Sequence, residues 1–195
     1  MNVKYITGDI CTFQGDAIVN AANVTLLGGG GVDGAIHRAA GPQLREWCHR
    51  FPERWPQHQD KRIKTGEAVA TPGFKLPCQM IIHTVGPIYP KGRDLAFPGE
   101  EKIYDLNKAN RLLTTAIRAC LLKAEEHNVR TLAFPALSCG VFGCDIGVFA
   151  ERLHMCLLGG NEGQVWKMDT ITVYLFDEIQ YGLFDLAWQR LTNKG

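Results

Sequence analysis

Apolar and polar positions along the chain switch between two periods. The run Asp16-Ala17-Ile18-Val19-Asn20 is short, apolar and bounded by polar residues, which predicts a buried strand. From Val32 the period lengthens. Val32, Ala35, Ile36, Ala39, Ala40, Leu44 and Trp47 recur at helical spacing and predict one helix over 32–47. Residues 67–71 and 80–85 predict two strands around the turn-like Pro72-Gly73-Phe74-Lys75-Leu76-Pro77. Leu106, Ala109, Leu112, Leu113, Ala116, Ile117, Cys120, Leu121 and Ala124 mark a long amphipathic helix, and 131–135 returns to strand. Asp145 is placed as the N-cap of a helix through Ile146, Phe149, Ala150, Leu153 and Leu157. A strand over 171–176 precedes a closing helix whose inner face is read as Leu183, Leu186, Ala187 and Leu191. The charged, proline-containing stretch 51–64 reads as an exposed excursion, and 89–101 as a loop.

Strands alternating with helices predict an α/β sandwich with a mixed, mostly parallel sheet covered on both faces. No composition shift or repeat divides residues 1–195, so a single domain is expected. Ligands in such folds bind beyond the carboxyl ends of strands, where loops lead into helices. Two loops rich in small residues occupy that position: residues 28–31, four consecutive glycines, and Ser138-Cys139-Gly140-Val141-Phe142-Gly143.

Composition narrows the function classes. A formal net charge of +1 argues against a phosphate-backbone binder of the usual basic kind, so nucleic acid is not an expected partner except as a modified substrate. No stretch approaches the apolar length of a membrane helix, and the N-terminal residues carry no secretory pattern, so a cytoplasmic protein without a membrane partner is expected. The seven cysteines are scattered, with no Cys-x-x-Cys, which suits reduced thiols and no metal site.

Four glycines before a helix bring backbone N–H groups close to an anion, and the helix N-terminus adds positive potential. Neither a Walker loop nor a dinucleotide fingerprint follows, and the same glycines serve a tight turn equally well. The second loop would supply donors from the opposite side. Neither loop contains Lys or Arg, which points to backbone recognition of a diphosphate rather than capture of a triphosphate.

The blocks Gly8-Asp9-Ile10, Asp16-Ala17-Ile18-Val19-Asn20-Ala21-Ala22-Asn23, Leu27-Gly28-Gly29-Gly30-Gly31-Val32-Asp33-Gly34-Ala35-Ile36-His37, His83-Thr84-Val85-Gly86-Pro87 and Ser138-Cys139-Gly140-Val141-Phe142-Gly143 resemble the macrodomain family, and within it the MacroD-type branch. The resemblance runs from Tyr5 to about Phe176. It implies a three-layer α/β/α fold that binds ADP-ribose with no cofactor. For this branch it also implies removal of mono-ADP-ribose from acidic side chains of modified proteins and deacetylation of O-acetyl-ADP-ribose. A non-catalytic ADP-ribose reader is the alternative, and a protein or RNA adaptor a more distant one.

Carried over residue by residue, the resemblance makes Asp9 an acceptor for the adenine amino group, beside the Ile10 backbone, and Phe176 a packing surface for adenine. By themselves these residues also fit a turn-capping acid and a core aromatic. Asn23 is matched to the distal ribose, whereas Asn20 either contacts the same sugar or holds the loop through its backbone. Gly29, Gly30, Gly31 and Val32 on one side, and Ser138, Cys139, Gly140, Val141, Phe142 and Gly143 on the other, are expected to hold the diphosphate. Phe142 is expected to cover the distal ribose as well, although core packing would leave the same trace. Asp33 separates an enzyme from a reader. It sits in a first helical turn, where the dipole alone favours acids and should keep this one ionised, so positioning a water is expected before proton abstraction. His37, one turn on, shares its face and is expected to fix the Asp33 carboxylate, or else to be a half-buried histidine satisfied by backbone. Cys139 is not read as a nucleophile. The chain departs from the family pattern at Cys139, where Thr is common, and at Cys144-Asp145 in place of Tyr-Pro.

Overall fold

The structure is a computed structural model that describes residues 1–52, 61–92, 102–158 and 165–193. Its strands are β1 (Asn2–Thr7), β2 (Ala17–Ala21), β3 (Ala68–Pro72), β4 (Met80–Thr84), β5 (Thr131–Pro135) and β6 (Thr170–Leu175). Its helices are α1 (Gly31–Ala40), α2 (Pro42–Cys48), α3 (Leu106–Glu126), α4 (Ile146–Leu157) and α5 (Glu178–Thr192), with a short 3-10 turn at Ile10–Thr12.

The strands form one sheet in the order β1-β6-β5-β2-β4-β3. All neighbours pair in parallel except the edge strand β3, which runs antiparallel to β4. Successive side chains on a strand point to opposite faces, and the core divides accordingly. Ala17 and Val19 of β2, Leu132 and Phe134 of β5, and Ile82 of β4 pack with α3, α4 and α5. Ile18, Ala133 and Ile81 pack on the other face with α1 and α2 through Ile36, Ala40 and Leu44. The result is the expected α/β sandwich. None of the described helices is long and apolar enough to cross a membrane.

Parallel pairing puts the carboxyl ends of β1, β6, β5, β2 and β4 along one edge. Across three strand spacings, about 14 Å, the chain therefore lines up Asp9 after β1, Phe176 after β6, residues 138–143 after β5 and residues 22–31 after β2.

Several sequence expectations change. The single helix over 32–47 is two helices, because Gly41 takes φ +86° and Pro42 opens a new first turn. The 3.6-residue period runs through the break because both helices cover the same sheet face. On α5 the buried residues are Phe184 and Trp188, whereas Leu183 and Leu186 are about half exposed. Asp145 does precede α4, but its side chain makes no capping bond. The excursion over 51–64 and the loop over 89–101 fall partly outside the described residues; at the end of the first, Arg62 and Ile63 are buried rather than exposed. The N-terminal residues form β1, an edge strand whose outer positions are too exposed to show an apolar run.

Asp16 holds the opposite ends of the strands that carry the two loops. Its Oδ2 accepts the backbone N–H groups of Arg130 (2.9 Å) and Thr131 (2.8 Å) and the Thr131 hydroxyl (3.0 Å), while its carbonyl accepts from Gln79 and Met80. Desolvation works against ionisation here, but the bonds from Arg130 and Thr131 outweigh it and hold the carboxyl below its usual range. Asp16→Ala should cost about 1–2 kcal/mol at pH 7. A depressed carboxyl contributes fully above its unfolded value, near 4, and loses that contribution as pH falls through the folded value. Urea titrations of both proteins should therefore converge toward pH 3; a gap that stays constant would refute the assignment.

Candidate functional site

The first wall of the cleft is built from β2 onward. Leaving the strand, the chain turns through Leu26 (φ +61°) and Gly28 (φ +88°) into α1, whose N-cap is Gly30. No side chain caps this helix. The N–H groups of Gly29, Gly30, Gly31 and Val32 donate to no protein acceptor among the described residues. A Cβ at Gly30 or Gly31 would meet nothing within 4 Å, so a ligand has direct access to the backbone there. The loop is seated from below. A Cβ at Gly34 would lie 2.4 Å from the Gly29 carbonyl oxygen, so only glycine lets the loop lie this close to α1.

The second wall follows β5. Ser138 holds φ +62°, Cys144 N–H donates to the Ser138 carbonyl (2.9 Å), and Gly143 N–H donates to that of Gly140 (3.0 Å). Between these bonds, the N–H groups of Gly140, Val141 and Phe142 have no protein acceptor among the described residues. Val141 is half exposed at the tip and Phe142 is half-buried. The segment after β4 supports this loop: Tyr89 N–H donates to Phe142 carbonyl oxygen (2.8 Å), and Gly92 lies where a Cβ on Gly143 would be. Ser138 Oγ occupies the place of a Cβ at Gly86, so a side chain there would have to displace the hydroxyl.

At the β1 end of the carboxyl edge, Asp9 accepts the Cys11 N–H (2.9 Å) through Oδ1 and so caps the 3-10 turn, and the Cys11 thiol also hydrogen-bonds its carboxylate. The turn-capping reading of Asp9 holds. Ile10, the next residue, is buried. Phe176 is 82% exposed, which removes the core-aromatic reading.

At the other end, Asp33 is buried in the first turn of α1, only 4% exposed. Its Oδ1 accepts from Asn20 Nδ2 (2.8 Å) and its Oδ2 lies 3.4 Å from Asn23 Nδ2. Burial pushes the carboxyl up to about 6, against the lowering effect of the Asn20 bond. This corrects the expectation that the helix dipole keeps Asp33 an ordinary ionised acid: a dipole effect of about 0.3–1 kcal/mol is outweighed by desolvation.

The loop-holding role offered to Asn20 falls to Asn23. Asn23 holds the loop, donating to the Gly28 carbonyl (3.0 Å) and accepting from Thr25 N–H and hydroxyl. Asn20 makes no backbone bond among the described residues. Its Nδ2 bridges Asp33 and His83 Nδ1 (3.0 Å), and its Oδ1 is buried without a protein partner. His37 Nε2 lies 3.5 Å from Asp33 Oδ1 but outside hydrogen-bonding geometry, so it adjoins the carboxylate without fixing it. Burial, and then Arg45, hold the His37 ring below its ordinary value, toward the neutral form. The Cys139 thiol is pushed far above the ordinary range by its bond with Cys144 and by burial, which agrees with its not being a nucleophile.

His83 and Thr71 were given no role from the sequence. Both are buried, and they meet through Nε2 and Oγ1 at 2.9 Å. A histidine in an otherwise apolar buried strand is the one signal that could have marked this layer; nothing in the sequence marks Thr71.

Comparison with known proteins accounts for this arrangement. The Macro domain pattern matches residues 19–153. A macro domain-containing protein of Lactiplantibacillus plantarum is 39% identical over 193 residues, 99% of each chain. A Salmonella gallinarum protein named O-acetyl-ADP-ribose deacetylase is 45% identical over 141 residues, covering 72% of this chain and 69% of its own. Among solved structures, the Oceanobacillus iheyensis macrodomain with ADP superposes with a TM-score of 0.81 at 33% identity, covering 98% of this chain and 92% of that one. By sequence pattern, by whole-length relatives and by fold, the chain belongs to the macrodomain family.

Proposed function

We propose that this chain binds ADP-ribose along the carboxyl edge of its sheet and hydrolyses esters on the distal ribose, as a MacroD-type enzyme. The observation that carries the reading is the buried carboxyl of Asp33, raised to about 6 and placed in the first helical turn directly after a loop of unused N–H donors. The homologue named as a deacetylase supports the ester chemistry.

In this reading Asp9 and Phe176 receive adenine, residues 29–32 and 138–143 hold the diphosphate, and Phe142 and Asn23 orient the distal ribose. Above pH 6 the Asp33 carboxylate holds a water by accepting its hydrogen bond. It takes a proton as the water oxygen bonds to the acyl carbon, and returns it to the ribose oxygen as the C–O bond to that leaving group breaks, which restores the carboxylate. Acetate and ADP-ribose are the products from O-acetyl-ADP-ribose. A freed Asp or Glu carboxylate and ADP-ribose are the products from a modified protein.

Deacetylation of O-acetyl-ADP-ribose by the purified protein, followed chromatographically, is the primary test; ADP-ribose binding without turnover would leave a reader. Asp33→Asn should lower kcat by roughly 100-fold or more while leaving ADP-ribose affinity, by calorimetry, within about fivefold. The wild-type kcat/KM should rise with pH and level off above about 6, because the ionised carboxyl is the active form.

The same substitution has a second expected outcome. A carboxyl whose folded pKa is raised costs stability once pH passes its unfolded value, so Asp33→Asn should stabilise the fold at pH 7.5 by about 1–3 kcal/mol. The gain should vanish near pH 4. Chemical denaturation measures it, and destabilisation at pH 7.5 would contradict the burial argument. For adenine, Phe176→Ala should weaken ADP-ribose binding by about 1–2 kcal/mol with kcat at saturation unchanged; unaltered calorimetric affinity would remove Phe176 from the site.

A further inference from the structure

Asn20, His83 and Thr71 sit on the sheet face that packs α1. Asn20 of β2 is in register with His83 of β4, and Thr71 of β3 lies two residues from Val69, the register partner of His83. The three side chains therefore form a row beneath Asp33, and all three are at most 2% exposed.

Hydrogen-bond capacity gives this row a direction. An ionised carboxylate only accepts, so the group of Asn20 at 2.8 Å from Asp33 Oδ1 is the amide NH2. The second N–H of that NH2 reaches His83 Nδ1 at 3.0 Å, which must then accept and carry no proton. The ring proton is on Nε2 and is donated to Thr71 Oγ1 at 2.9 Å. The Thr71 hydroxyl in turn donates to the Pro72 carbonyl at 3.2 Å, a backbone acceptor that cannot reverse.

We propose that Thr71 and His83 are positioning residues that lock the Asn20 amide with its NH2 toward Asp33. They thereby set the orientation and acidity of the carboxyl to which the proposed function assigns the water, and it is on that reading that their effect on turnover rests. The ring is neutral at every working pH: burial, with His37 nearby, holds His83 down to about 3, and an imidazolium would oppose two donors across the bond to Asn20. The other titratable or charged groups around Asp33 are His37 on its own helix, with Arg45 beyond it, and Cys48 on α2 with Arg62 beside it. Among the described residues, Thr71 makes its side-chain bonds only to His83 and Pro72.

Thr71→Val keeps the shape and removes the acceptor. The His83 Nε2 proton then loses its partner, the Nδ1–H form becomes competitive, and the Asn20 amide is free to turn its oxygen toward Asp33. Two measurements made without substrate decide the matter. In the wild type, nitrogen NMR of His83 should show the neutral Nε2–H form from pH 5 to 8. Carbon NMR of the Asp33 carboxyl should show its pKa rising by roughly half a unit or more in Thr71→Val, through loss of the Asn20 bond that lowers it. Thr71→Ser, which retains the hydroxyl, should restore both signals.

With substrate, Thr71→Val should lower kcat roughly tenfold and move the acid limb of kcat/KM upward by the same amount as the NMR titration, with ADP-ribose affinity within twofold. An Nδ1–H or charged His83 in the wild type, or an Asp33 titration unmoved by Thr71→Val, would overturn the proposal. A wild type with no esterase activity would instead overturn the proposed function and leave the NMR outcome to decide this one.

Discussion

The burial of one carboxyl group organises this molecule's site. Asp33 enters the protein at the first turn of α1 with almost no solvent contact, and among the described residues no cation fixes it in hydrogen-bonding geometry. Such a group is tolerable only if its oxygens find donors. Two asparagine amides provide them, and each is itself held from behind, Asn23 by the turn at Thr25 and Gly28, Asn20 by the histidine of the neighbouring strand. The compensation is incomplete. The carboxyl stays above its ordinary range, where a group able both to ionise and to take a proton near neutrality is useful.

The cleft depends on close approach as much as on charge. Gly34 admits the Gly29 carbonyl, Gly86 admits the Ser138 hydroxyl, and Gly92 and Gly143 pass each other without side chains. These contacts seat both loops at the carboxyl edge of the sheet, each with backbone N–H groups left over from turns and helix starts. A site made of main-chain donors needs no lysine or arginine. Neither loop carries one, in a protein of nearly balanced charge.

The layout along the sheet edge has the same origin. Five parallel strands end on one side, and their order in the sheet, not in the chain, sets the line of candidate positions from Asp9 and Phe176 through the two loops to Asp33. Asp9 and Phe176 are 167 residues apart in the chain but follow adjacent strands, paired residue for residue from Asn2 with Thr170 to Thr7 with Leu175.

The sequence by itself determined the alternation of strands and helices, the two loops, and, through the ordered glycine, asparagine and aspartate blocks, the family. Those features are local: they depend on period, turn chemistry and motif spacing. The division of the helix at Gly41 lay beyond the pattern because both halves bury the same face. The loop-holding bonds of Asn23, the raised pKa of Asp33 and the layer of His83 and Thr71 were decided only in three dimensions. Each follows from which strands are neighbours and how much water is excluded between them, and desolvation is a property of the packed site that no spacing along the chain records.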